Sequence, residues 1–340
     1  MIYKALALQT TCHAVHKCPH RTDVTALILQ SIERLKHQIA ASIHFIGRDV
    51  KLVVLPEYFL TGFPMGETIA VWRDKVALEM DGVEYDTLCN IAAQQGIYLS
   101  GNAYERDPHF PNLYFQSSFI INPKGVVALR YRRLNSMFAP TPHDVWDKYL
   151  DIYGLEGVFP VLKTADVGNL ACIASEEILY PELARCMAVR GAEVFLHSSS
   201  EVGSPLLTQK NVAKLARAIE NMAYLVSANS AGIIGTPIPA ASTDAGSKIV
   251  DYRGIVQCEA GYGESMVAFS DINLYGLRHF RQQPAMGNLL ARQRFELYAD
   301  TYSKMEIYPP NTLATQTPDR QHFIQTQKKV IEKLKIQNII

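Results

Sequence analysis

Two rhythms of apolar residues alternate along the chain. Short apolar runs at 3–9, 52–55, 97–103, 169–174, 193–197 and 225–229 read as buried strands. Between them apolar positions recur at steps of three and four. Ile28, Ile32, Leu35, Ile39 and Ile43 fall on one face of a long helix, with Thr22-Asp23 as a cap before it. Further helices are expected over 85–95, stopped by Gly96, over 180–190, stopped by Gly191, and over 208–223. The runs 113–121 and 126–131 flank Asn122-Pro123-Lys124-Gly125 and predict a hairpin. The stretch 135–157 reads as loop with a short helix. Strands at 248–252, 256–259 and 266–271 and helical segments at 273–281 and 287–300 complete the pattern. Helices mixed with both hairpins and crossovers predict an α/β fold whose sheets hold more than parallel pairs.

Composition narrows the class. Of 340 residues, 48% are hydrophobic and 19% charged, a balance that excludes wholesale disorder. Lys and Arg total 33, as do Asp and Glu. A neutral chain has no global field for nucleic acid or anionic membrane, so neither is expected as a partner. No run of apolar residues is long enough to span a bilayer, and the first residues lack the apolar core of a signal peptide. The six cysteines, at 12, 18, 89, 172, 186 and 258, form no C-x-x-C pair. They read as free thiols of a cytoplasmic protein, with no disulfide framework and no metal site. Residues 1–302 carry the pattern of one domain. Residues 303–340 form a tail, opened by Pro309-Pro310 and ending Lys-rich, either as a helix docked on the body or a partner or as a solvated appendage.

Three segments place polar groups just after strands, where sites in α/β sheets lie. In Leu55-Pro56-Glu57-Tyr58-Phe59-Leu60-Thr61-Gly62, Glu57 is a carboxylate among apolar neighbours, suited to general acid–base work. In Tyr131-Arg132-Arg133-Leu134-Asn135, one guanidinium is expected in a cleft and the other in solvent. A buried arginine stabilises negative charge developing on oxygen. In Ala171-Cys172-Ile173-Ala174-Ser175-Glu176-Glu177-Ile178-Leu179-Tyr180-Pro181-Glu182, a strand turns into a helix and sets Ser175 on an elbow, either as a nucleophile or as a helix cap.

Taken in this order, the three segments resemble the nitrilase (carbon–nitrogen hydrolase) superfamily. Arg190-Gly191-Ala192-Glu193-Val194 and Arg217-Ala218-Ile219-Glu220-Asn221 extend the resemblance over residues 1–300. It implies an α-β-β-α sandwich and a homodimer, or a higher homo-oligomer, that extends it. It also implies cleavage of amides, nitriles or carbamoyl groups in a small-molecule substrate, without a cofactor. The family triad is a Glu base, a Lys and a Cys nucleophile. Here the Glu is Glu57, the Lys position falls on Arg133, and the Cys position, six residues before the Pro of the P-E pair, falls on Ser175.

Those replacements alter the chemistry. A thiol ionises near neutrality with help, whereas a serine hydroxyl needs a strong base throughout the transition state. Arg133 keeps a charge and several donors but does not shuttle a proton. The backbone N–H of Glu176 remains as the oxyanion donor. Cys172, three residues before Ser175 on a strand, points to the other face and reads as a core thiol. A second acid is expected near the cleft, Glu156 or Asp144. Tyr58, Tyr131, Tyr180, His197 and Ser198 are expected around the pocket, His197 either as a base for Ser175 or as a satisfied wall residue. Three readings follow: a hydrolase with an altered Glu-Arg-Ser triad, a catalytically silent protein that binds a small molecule or a protein partner, and a scaffold acting through its dimer and tail.

Overall fold

The structure is a computed structural model and describes residues 1–204, 206–316 and 319–340. Two sheets pack face to face between two layers of helices, the α-β-β-α sandwich. The first sheet has the order β13-β1-β3-β4-β5-β6, built from β1 (Ile2–Ala7), β3 (Val50–Val54), β4 (Tyr98–Glu105), β5 (Phe115–Ile121), β6 (Val127–Arg132) and β13 (Phe269–Asn273). Strands β1, β3 and β4 run parallel, while β5, β6 and β13 join antiparallel. The second sheet has the order β12-β11-β9-β8-β7, from β7 (Leu170–Ala174), β8 (Val194–Ser198), β9 (Tyr224–Ala228), β11 (Lys248–Val250) and β12 (Val256–Glu259). A short parallel ribbon pairs β2 (Cys12–His13) with β10 (Ile233–Ile234).

The five apolar residues spaced along α1 (Arg21–Ile46) are all buried, against the outer face of the first sheet and α3 (Val83–Gln95). Each such side chain, fully buried, contributes about 1.5–3 kcal/mol. The cap lies two residues before Thr22: His20 is the N-cap residue and its N–H donates to the Asp23 carboxylate. On the other side, Ala184, Met187 and Ala188 of α5 (Pro181–Val189) and Ala213 and Ala218 of α6 (Gln209–Asn221) pack on the second sheet. Small residues there let the helices approach the sheet closely. Ala5, Ala7, Leu52, Val54 and Ile120 of the first sheet meet Cys172, Leu196 and Val226 of the second in the same apolar cluster.

Two helices escaped the apolar pattern. The short α2 (Ile69–Lys75) offers only two turns of periodicity and is started by the Thr68 hydroxyl, which accepts the Val71 N–H. The stretch 135–157 holds α4 (Trp146–Val158), not a short helix in a loop. Its two glycines argue against a helix, and one of them does bend it: Gly154 stands at φ +60°. The expected helix at 287–300 is turns followed by α8 (Glu296–Ser303), next after α7 (Leu274–Gln282).

The chain end folds back on the first half. Leu313 and Phe323, the latter on α9 (Arg320–Ile336), are buried in the cluster that holds α1 and α3. Thr312 donates its hydroxyl to Asp144 Oδ1 at 2.7 Å, and the Leu313 N–H meets the Asp144 carbonyl at 2.9 Å. No helix among the described residues is long and apolar enough to cross a membrane.

Candidate functional site

Arg133 and Ser175 directly follow the last residues of β6 and β7, and Glu57 lies three residues beyond the end of β3, so all three stand at strand ends. Two bonds draw the sheets together there. The Ser198 hydroxyl donates to the Leu55 carbonyl at 2.8 Å, and the Glu57 N–H donates to the Ser199 carbonyl at 3.1 Å. Ser198 therefore acts as a cross-sheet clasp and does not line the pocket.

Glu57 is completely buried. Its Oε1 accepts from Gln116 Nε2 at 2.6 Å and lies 3.5 Å from an Arg133 nitrogen, while its Oε2 is buried and makes no hydrogen bond among the described residues. Gln116 is the hinge of the group. Its amide oxygen accepts from Arg133 at 2.6 Å, and its amide nitrogen donates also to Asn102 Oδ1 at 3.0 Å. The acceptor at one end of Gln116 and the donor at the other force a single orientation, and that orientation sets the acid and the base side by side.

Four of the five N–H groups of the Arg133 guanidinium have partners. Nε donates to the Asn135 carbonyl at 2.7 Å, and the remaining nitrogens face Gln116, Glu57 and the carboxylate of Glu176. Burial alone would lower its pKa, but the surrounding carboxylates outweigh burial and hold it above the ordinary range, so it stays charged. Its neighbour Arg132 does not reach solvent as expected. Adjacent residues at a strand end point to opposite faces, and Arg132 is buried beneath the helical layer, 2.6 Å from Asp107 and 4.4 Å over the Tyr153 ring.

Ser175 is buried and sits at φ +51°, left-handed backbone that a non-glycine residue adopts at a cost of about 1–3 kcal/mol. His197 and Glu177 hold this elbow from below. His197 Nε2 lies 2.8 Å from the Ser175 carbonyl oxygen, and Nδ1 lies 2.8 Å from the Ser227 hydroxyl. A carbonyl only accepts, so Nε2 carries the proton and Nδ1 accepts from Ser227. Burial drives the His197 pKa down to about 3. The imidazole is neutral and bonded to the backbone, so it is a support of the elbow rather than a base for the hydroxyl. Glu177 is completely buried and accepts three hydrogen bonds: from Tyr131 at 2.7 Å, and from the N–H groups of Leu134 and Asn135 at 2.7 and 2.9 Å. It thereby ties the elbow to the loop that carries Arg133. Burial raises its pKa to about 7 against the opposing pull of Arg133 and those donors.

Several expected pocket residues lie elsewhere. Tyr131 is buried between the sheets as the partner of Glu177, not on the pocket wall. Glu156 is an exposed residue of α4 paired with Arg190 at 2.7 Å, and so takes no part in the cleft. Asp144 caps its own turn, accepting from the Thr141 N–H and hydroxyl. Tyr180 is part-exposed beyond the cleft lining. The thiol of Cys172 is buried in the inter-sheet core, 3.9 Å from the Ser100 hydroxyl, and burial pushes its pKa up to about 12. Such a thiol is a packing group.

Above Arg133 and Gln116 opens a cleft of about 360 Å³. Tyr58, Tyr104 and Tyr114 form an aromatic wall, Tyr58 stacked on Tyr104 and Tyr104 edge-on to Tyr114. Glu176, Phe138 and the tail residues Asp319 and Arg320 complete it. Gln116, Asn102 and the tail residues had no signal in the apolar pattern, since a polar side chain in a strand or a distant tail is placed only by tertiary contact. A residue count of alternate positions on β5 would have shown Gln116 and Ser118 facing the same side.

Residues 11–282 match the family model described as carbon–nitrogen hydrolase. The chain belongs to the carbon–nitrogen hydrolase family. Its relatives are distant. A formamidase of Helicobacter acinonychis is 28% identical over 204 residues, which is 60% of this chain and 56% of the relative, so the chain spans little more than half of that protein's length. A nitrilase of Pyrococcus abyssi is 26% identical over 245 residues, 69% of this chain and 81% of the relative. Among solved structures, a member of branch 10 of the nitrilase superfamily from Saccharomyces cerevisiae superposes with a TM-score of 0.63 at 20% identity, covering 83% of this chain and 93% of that one. An amidase from Nesterenkonia sp. gives a TM-score of 0.63 at 19% identity, covering 88% and 96%. These structures share the carbon–nitrogen hydrolase fold with this chain.

Proposed function

We propose that this carbon–nitrogen hydrolase family member cleaves a small amide, with Ser175 as nucleophile, Glu57 as base and Arg133 as the fixed cation. The observation that carries the reading is the strained backbone of Ser175, set on the strand-to-helix elbow at the edge where Glu57 and Arg133 already stand together. Strain of this kind persists where it serves a site. The free Oε2 of Glu57 is the acceptor that a nucleophile's proton requires.

The step is an acyl transfer. Ser175 Oγ bonds to the amide carbon as its proton passes to Glu57. The carbonyl electrons move onto oxygen, held by the N–H of Glu176, early enough in its turn to lack an intrahelical acceptor, and by Arg133. Collapse breaks the C–N bond, and the leaving amine takes the proton back from Glu57. Water then attacks the acyl-serine with Glu57 again as base, releasing the acid and restoring the hydroxyl. The formamidase and nitrilase names of the relatives support amide- and nitrile-type substrates as the ones to try.

One observation favours a second reading, a silent member that binds without turnover. Arg133 is locked by four partners and Ser175 has no hydrogen bond from its hydroxyl among the described residues. The test is Ser175→Cys beside the unaltered chain, both followed by ammonia release and by intact mass against a panel of amides, nitriles and carbamoyl compounds. Turnover by the serine form supports the hydrolase. An adduct or turnover confined to the cysteine form supports the silent reading. A homodimer that extends the sandwich is the assembly expected of this fold, and light scattering on the full chain tests it.

A further inference from the structure

The cleft's charge and walls carry information about the substrate beyond the bond that is cut. Three carboxylates line it, those of Glu67, Glu176 and Asp319, and Glu57 stands behind them. Against these are two guanidiniums. Arg133 is claimed twice over, by Glu57 and Glu176. Arg320 lies 3.9 Å over the face of the Phe138 ring and has no carboxylate partner among the described residues. The charge balance of this small cleft is therefore negative, and such clefts concentrate ligands of the opposite sign.

The aromatic wall has the same preference. Ring faces attract cations, and Arg320 on Phe138 is an instance within the cleft itself. The Glu67 carboxylate stands beside this wall: its charge, added to burial, pushes up the Tyr114 phenol. One Glu67 oxygen accepts the Met65 N–H at 2.8 Å, and the other has only the His16 ring, 3.9 Å away. Behind the floor made by Gln116 and Arg133, the buried Glu57 Oε2 makes no hydrogen bond among the described residues.

We propose that the cleft selects amides bearing a second, cationic nitrogen a few carbons from the amide, and that Glu67 is the residue that reads that charge. The ammonium lies against the tyrosine wall and pairs with Glu67, while the amide end reaches the Gln116 and Arg133 floor, with Glu57 behind it. This rests on the amide-hydrolase reading for its substrate class but not for its binding. A cleft of about 360 Å³ accepts a short chain and excludes a polymer.

Three probes of matched size test it: γ-aminobutyramide, the neutral isostere pentanamide, and succinamate. Binding to the full chain is measured by ligand-observed NMR titration, and ammonia release is measured in parallel. γ-Aminobutyramide is expected to bind about ten-fold more tightly than pentanamide, the scale of one partly desolvated cation contact. That preference should vanish in Glu67→Gln, which keeps the acceptor for Met65 and so keeps its fold, as checked by an unchanged melting temperature. Equal binding of the first two, tighter binding of succinamate, or no binding of any of them overturns the proposal. Selective binding without ammonia release leaves it standing and sinks hydrolysis. Equal hydrolysis of pentanamide does the reverse.

Discussion

His197 donates its Nε2 proton to the carbonyl oxygen of Ser175 across 2.8 Å, and so fixes the backbone of the residue expected to react. The histidine has a price in acid. Its folded pKa lies near 3, whereas the unfolded value is 6.5. Between those values the unfolded chain binds a proton that the folded one refuses, so stability is full above pH 6.5 and falls as the pH drops toward 3. At pH 5 this one group costs about 2 kcal/mol, or roughly 4 °C in melting temperature. His197→Gln should shrink that slope between pH 7 and 5. Melting curves across this range that keep the same slope in both proteins would show that another group governs acid stability.

Glu177 works in the opposite sense. Its folded pKa, raised to about 7, exceeds the ordinary 4.5, so the folded state holds a proton that the unfolded state has released. The contribution is favourable below pH 4.5 and is lost as the pH rises through 7. In Glu177→Gln the amide oxygen still accepts from Leu134 and Asn135. The variant should therefore match the parent near pH 5 and exceed it in melting temperature at pH 8. Equal melting temperatures at pH 8 would count against a raised pKa.

Gln116 should matter to the site more than to the fold. Gln116→Ala removes the bridge between Glu57 and Arg133 and leaves buried charged groups short of partners, at a cost of about 1–3 kcal/mol. If the site hydrolyses amides, kcat should fall by about 10–100-fold with little change in KM, because orientation of the base is what is lost. A rise in KM alone would reassign Gln116 to substrate binding.

Removing Ser175 or Glu57 separates the two functional readings. Ser175→Ala and Glu57→Gln should each reduce any amidase turnover by at least about a thousand-fold. The double variant should be little worse than either single one, since the two act as a unit. Turnover indifferent to both changes would place the chemistry elsewhere.

The chain end should be part of the stable core. Leu313→Ala or Phe323→Ala is expected to cost about 2–5 kcal/mol, as for other buried large-to-small changes. An exposed change such as Ile340→Ala should cost nothing measurable. A loss confined to ligand binding, with no loss in denaturant midpoint, would mean that the segment only covers the cleft.

What the sequence determined by itself is what local periodicity and short motifs can encode. The spacing of Ile28, Ile32, Leu35, Ile39 and Ile43 set α1, and the apolar runs set the central strands of both sheets. The order of the Leu55-Pro56-Glu57, Tyr131-Arg132-Arg133 and Ser175-to-Glu182 segments pointed to the family, because each polar group lies within three residues of a strand end, where sites in such sheets form. Tertiary structure alone decided which neighbours those groups acquired. Arg132 and Arg133 are adjacent in sequence yet bury on opposite faces. His197 turned to a carbonyl, Tyr131 to Glu177 and Glu156 to the surface, while Gln116 and the distant Arg320 entered the site. A side chain's partner is chosen by which elements pack together across hundreds of residues, and no local pattern carries that information.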